Sequence, residues 1–139
     1  MITTMTEEPA IAAAVADVHF IMPLPGFPQA AHFVLEPVEE VGVLSLLRCT
    51  DQEGLEFVVA LPEAFFPDYA PEIDDTTAER LGLTSAEDAL VFVILTVAEN
   101  IENSTANLMA PVVVNRHTGA AVQALLISSD YQIRTPLVS

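Results

Sequence analysis

Apolar residues along this chain come in short runs separated by clusters of Pro, Gly, Asp and Glu, a spacing that predicts strands joined by turns. The runs are Asp17 to Met22, Ala31 to Glu36, Val43 to Cys49, Leu55 to Leu61, Leu90 to Val97, Val112 to Asn115 and Ala121 to Ile127, with Tyr131 to Arg134 as a terminal edge strand. In the run from Leu55, alternation places Leu55, Phe57 and Val59 on one face and Glu56, Val58 and Ala60 on the other, so one side is wholly apolar. The second to fourth runs read as an antiparallel meander. Between the first two runs, Pro23, Pro25 and Pro28 remove backbone donors around Gly26, which forces a turn and excludes a helix. Helix is confined to scraps. Thr76 and Glu79 have capping-box spacing ahead of a turn or two from Asp75 to Leu81, stopped by Gly82, and a second turn fits Ser85 to Ala89. The expected fold is all-β, a compact β-barrel-like or strongly bent antiparallel sheet with one or two short helical turns. Phe57, Val59, Phe92, Ile94, Val113 and Leu125 are the expected interior.

Length changes this picture little: 139 residues suit a single domain, taken as 16–139, after a flexible tail over residues 1–15. Charge changes it more. Twenty acidic residues against four basic ones, all Arg, give a net charge of −16. Such a surface repels phosphates, which disfavours direct nucleic-acid binding and favours a basic protein partner; acidity that only maintains solubility is the alternative. The one cysteine, Cys49, has no intramolecular disulfide partner, which fits a reducing compartment. Glu7 and Glu8 stand where a signal peptide would need positive charge, and the longest apolar run, Ala89 to Ala98, is too short for a bilayer. The chain is therefore expected in the cytoplasm, off the membrane and monomeric when free.

Chemistry is thinly represented. His19, His32 and His117 stand apart with no paired spacing, the glycines are isolated, and no Ser sits in a nucleophile elbow, so no metal, cofactor or catalytic group is expected. The adjacent carboxylates Glu39 and Glu40, or Asp74 and Asp75, read as solvated charge. One stretch combines two features of a binding surface. Phe65, Phe66, Pro67, Asp68, Tyr69 and Pro71 precede Glu72, Asp74, Asp75 and Glu79, which gives aromatic anchors with an acidic rim. A second reading places both Phe residues in the core and the acids at a helix N-terminus, where the macrodipole favours them.

Pro25, Gly26 and Phe27 form a P-G-F turn, Phe66, Pro67, Asp68 and Tyr69 an F-P-D-Y segment, and Asn107, Leu108, Ala110, Pro111 and Asn115 an N-L-x-A-P-x-x-x-N pattern, with Gln123, Leu125, Tyr131 and Arg134 following in order. These motifs, of which the N-L-x-A-P-x-x-x-N pattern is the specific one, resemble those of the FliW family of flagellar assembly factors. The likeness spans about residues 17–137. It departs at Arg48 and Cys49, since Leu47, Arg48 and Cys49 stand where the family usually has L-Q-S, and at Pro23, where a Gly is common.

The resemblance implies a non-catalytic cytoplasmic protein with two protein partners, flagellin before export and the basic RNA-binding repressor CsrA. On that basis Tyr69, Glu72, Asp74, Asp75 and Glu79 are candidates for the CsrA surface, and Phe27, Asn107, Leu108, Pro111 and Asn115 for the flagellin surface. The alternative is a small-ligand-binding barrel or a carboxylate hydrolase on a similar frame; a polar cavity would mark it.

Overall fold

The computed structural model describes residues 17–38, 43–126 and 129–138, so the expected tail, Glu39, Glu40 and the end of the run at Ile127 lie outside the described residues. Among the described residues the strands are β1 (Asp17–Phe20), β2 (His32–Pro37), β3 (Leu44–Cys49), β4 (Glu56–Ala60), β5 (Ala89–Thr96), β6 (Thr105–Asn115), β7 (Ala120–Gln123) and β8 (Thr135–Pro136), with one α-helix, α1 (Asp75–Leu81). The sheet order is β5-β4-β3-β2-β1-β7-β6-β8, and a further β5–β6 pairing closes the first seven strands into a barrel. β2, β3 and β4 form the expected antiparallel meander.

Three expectations about strands need correction. The sheet is not wholly antiparallel, because β1 joins β7 in parallel through His19↔Ala120 and Phe20↔Ala121. Val112 to Asn115 is only the end of an eleven-residue strand. The terminal edge strand is β8 at Thr135–Pro136 and not Tyr131 to Arg134, whose backbone is occupied otherwise: Leu108 N–H donates to the Gln132 carbonyl at 3.0 Å.

The helix starts as the pattern suggests but with a different cap. Asp74 is extended (φ −72°, ψ 165°) and its carboxylate accepts from Thr77 N–H at 2.7 Å, so Asp74 holds the N-terminus in place of Thr76. Gly82 ends α1 in the left-handed region (φ 73°), as expected of a glycine stop. The Ser85 turn is a 3-10 turn, Ala86–Asp88, where the Asp88 carboxylate accepts from Thr84 Oγ1 (2.7 Å), Thr84 N–H (3.0 Å) and Ser85 N–H (3.1 Å).

Alternation along the strands sorts the side chains into an interior and an outer layer. Val18, Leu35, Leu47, Val59, Phe92, Val112 and Val114 converge inside the barrel and leave no room for a water molecule. Phe57 and Ile94 pack against this interior, and Phe20, Phe33 and Phe57 are in ring contact across it. Val113 does not belong there: with Val112 and Val114 pointing inward, it faces out and is buried beneath Leu81 of α1. Leu125 is 61% exposed because β7 has already ended at Gln123. Cys49 is buried in the interior, while Arg48 turns outward and pairs with Glu36. A second apolar layer covers the outside of β4, β5 and β6, where Phe65, Phe66, Tyr69 and Tyr131 pack on Val93, Leu95 and Leu108.

Candidate functional site

The barrel departs most from regular pairing where β5 meets β6. Phe92 pairs with Val112 and Ile94 with Asn107, so Leu108 to Pro111 stand opposite the single residue Val93. A bulge of this size breaks the ladder and leaves backbone groups that need other partners. Asn107 supplies the first two, its Oδ1 accepting from Met109 N–H and Ala110 N–H at 3.1 Å each. The Met109 carbonyl accepts from Leu126 N–H (2.8 Å), the Ala110 carbonyl from Gln123 Nε2 (3.2 Å) and the Pro111 carbonyl from Ala124 N–H (2.9 Å). Pro111 has no N–H to satisfy. Leu108 donates to the Gln132 carbonyl, and its own carbonyl accepts from the Tyr69 hydroxyl at 2.7 Å. Every backbone polar group from Leu108 to Pro111 is thereby paired.

The bulge walls an open cleft of about 360 Å³ at one mouth of the barrel. The opposite wall is the P-G-F turn: Phe27 N–H donates to the Leu24 carbonyl at 2.9 Å and Gly26 has φ 85°, which suits a type II turn with Pro25 and Gly26 at its centre. Phe27 stands edge-on to Phe57 at 5.8 Å. Among the described residues, Leu24, Phe27, Met109, Leu125 and Ile133 provide apolar lining, with the amides of Asn107 and Gln123 as its polar groups and no charged side chain. Leu125 and Ile133 are 61% and 60% exposed, far more than core residues of their type. Apolar side chains left in water around a concavity favour a partner that covers them.

The acidic stretch lies elsewhere, along the loop into α1. Glu72, Asp74, Asp75 and Glu79 are exposed, and among the described residues none of them forms a salt bridge. Arg80 compensates them only in part: its charge helps lower the Asp74 carboxyl, but it forms no salt bridge with them among the described residues and its Nη1 lies 3.1 Å from the Met22 sulfur. The Asp74 carboxyl is held below its usual range, chiefly by the hydrogen bonds from Thr77. Tyr69 is a different kind of residue. Half-buried, it stacks edge-on against Tyr131 with ring centres 4.7 Å apart, and burial pushes its hydroxyl well above the ordinary tyrosine range.

The expected flagellin surface is therefore only partly at the surface. Phe27 and Asn107 line the cleft, but Leu108 (5% exposed), Pro111 and Asn115 are buried, and they cannot be contacts in this conformation. Asn115 binds the fold together. Its Nδ2 donates to the Leu81 carbonyl at 2.7 Å and its Oδ1 accepts from His117 N–H at 2.8 Å, so one side chain joins the end of α1 to the β6–β7 turn. Met109 and Ile133 line the cleft without any signal in the chain; apolar residues next to a signature motif read as strand core unless the bulge is known. Among the described residues, no group of three or more His, Cys, Asp or Glu could hold a metal ion, and no helix is long and apolar enough to cross a membrane.

Comparison with known proteins agrees with the motifs. The family model described as FliW protein matches residues 1–137. The chain is similar to the flagellar assembly factor FliW of Bacillus licheniformis, 46% identical over 114 residues that cover 82% of this chain and 80% of that one. The FliW of Bacillus subtilis is 40% identical over the same share of each chain. A crystal structure of the flagellar assembly factor FliW superposes with a TM-score of 0.84 at 32% identity, covering 99% of this chain and 91% of that one. The family model, relatives up to 46% identical and the shared barrel together place this chain in the FliW family of flagellar assembly factors.

Proposed function

We propose that the chain is a non-catalytic cytoplasmic regulator that binds flagellin at the apolar cleft and sequesters CsrA through the acidic loop, coupling flagellin translation to flagellar assembly. Family membership supports the flagellar role. The observation that carries the protein-binding reading is an uncharged, open apolar cleft on a chain of net charge −16 whose barrel interior has no space for a ligand. A small-ligand barrel would need that space. For CsrA, the exposed carboxylates from Glu72 to Glu79 offer a basic partner a field that governs encounter more than tight packing.

The test is retention of purified flagellin and purified CsrA, each alone, by the tagged chain. Replacing Leu125 and Ile133 together with Glu should abolish flagellin retention and spare CsrA. Unchanged flagellin binding in that variant would place flagellin elsewhere, and a wild-type chain that retains neither protein would defeat the proposal.

A further inference from the structure

From the hydrogen bonds that hold the bulge, we infer that the cleft and the loop into α1 are mechanically coupled through a clasp of Tyr69 and Tyr131, so that occupancy of one changes the affinity of the other. The inference rests on the two-surface reading above and adds how the surfaces communicate.

Two connections leave the cleft wall and both end at residues 69 and 70. The first runs through the bulge: Met109 and Asn107 line the cleft, and Leu108, between them in sequence, turns to the outer apolar layer and takes the Tyr69 hydroxyl on its carbonyl. The second runs through the C-terminal segment. Ile133 lines the cleft, its neighbour Gln132 accepts from Leu108 N–H, and the next residue back, Tyr131, accepts from Ala70 N–H at 3.1 Å through its hydroxyl. The two tyrosine rings then lock against each other. Pro71 and Glu72 follow immediately, and Asp74 starts α1.

This arrangement transmits displacement because the bulge lacks, on its β5 side, the restraint an ordinary strand has. Opposite Val93 alone, Leu108 to Pro111 are not held in register by β5. They are held by the Asn107 and Gln123 side chains, by the backbone of Ala124 and Leu126, and for Leu108 by Tyr69 and Gln132. A partner that presses on Met109 shifts the Leu108 peptide, and either Tyr69 follows or a buried carbonyl loses its donor, which is costly. Tyr69 is thus a positioning residue and not the partner anchor its place beside the acidic run suggests. In the partner-switching reading the coupling is antagonistic.

The experiment measures CsrA affinity with and without saturating flagellin for the wild-type chain, Tyr69→Phe and Tyr131→Phe. Phenylalanine keeps the ring stack and removes only the hydroxyl bond. For wild type the ratio of the two affinities should lie in the range of about 5- to 150-fold usual for coupled sites. In Tyr69→Phe it should fall several-fold towards unity, more than either single-partner affinity changes; a merely structural role would lower stability and leave the ratio intact. Tyr131→Phe tests the second connection if the first variant folds poorly. Amide resonances of Ala70 and Thr77 should also respond to flagellin alone in wild type and much less in the variants, a readout that does not need CsrA. The inference is overturned if both variants keep the wild-type ratio, if wild-type affinities are independent, or if the partners exclude each other at every concentration, which would mean direct overlap. A wild-type chain that binds neither partner instead defeats the functional reading itself.

Discussion

Replacing Gly119 with Ala should be among the most damaging single-methyl additions in this protein. Gly119 has φ 83°, and a Cβ there would lie 2.3 Å from the Asp17 carbonyl oxygen. The left-handed backbone alone costs an alanine roughly 1–2 kcal/mol. The clash adds to it, since the Cβ position is fixed by the backbone, its neighbour is a backbone oxygen and no rotamer change relieves it. Separating them pulls on the bond from His19 N–H to the Gly119 carbonyl, 2.9 Å long, at the parallel seam. Overpacking of this kind costs about 1–3 kcal/mol, which brings the expected loss to roughly 2–5 kcal/mol. Gly26 is the internal control: its φ is 85°, but no heavy atom lies within 4 Å of the place an added methyl would take, so Gly26→Ala should lose only the conformational 1–2 kcal/mol, roughly. Urea unfolding of both variants, with m-values compared to confirm the same transition, measures the difference. Equal losses for the two would show that the seam yields freely and that the close approach carries no energetic weight.

Asn115→Ala should cost about 2–4 kcal/mol by leaving the Leu81 carbonyl and His117 N–H without partners, read as a lowered urea midpoint. The Leu125→Glu, Ile133→Glu variant should unfold within about 0.5 kcal/mol of wild type, because both positions are exposed, while losing flagellin; a large drop in stability would mean that the cleft is core. Asp88 is held far below the usual carboxylate range, chiefly by Thr84 and then by His117, so it stabilises the fold above its unfolded value of 3.8 and that contribution fades as pH falls below it. The urea midpoints of wild type and Asp88→Asn should therefore differ at pH 7 and converge in acid. Replacing Asp74 and Asp75 with Asn should slow CsrA association at low salt and flatten its salt dependence, with α1 preserved because Asn caps as well as Asp; an unchanged rate and slope would locate CsrA elsewhere.

Much of the barrel was legible because its strands alternate and are punctuated by Pro and Gly. β2, β3, β4, β5 and α1 fall within a residue or so of the runs read from the chain. What alternation could not show is pairing between distant segments. Nothing in Asp17 to Phe20 signals a parallel neighbour at Ala120, and Asn107 to Pro111, left outside the runs read from the chain, belong to a strand whose bulge only the register with β5 reveals. The burial of three candidate residues traces to that point. Leu108, Pro111 and Asn115 belong to a motif specific enough to identify the family, yet they serve the bulge and the turn, and the cleft is lined by their less distinctive neighbours. The acidic loop was easier to place, since exposed carboxylates near a helix start need no long-range information.

The parallel seam also bears on how this protein comes to exist in a cell. A barrel whose first strand pairs with its seventh cannot close while the chain is still short, because β1 waits for Ala120 and Ala121 to leave the ribosome. Until then β1 and the meander have an open edge, and Leu125 and the Tyr131 segment, which complete the cleft against the bulge and are encoded later still, do not exist. Nascent chains are thus expected to lack the cleft, so that under the proposed function only finished molecules could engage flagellin.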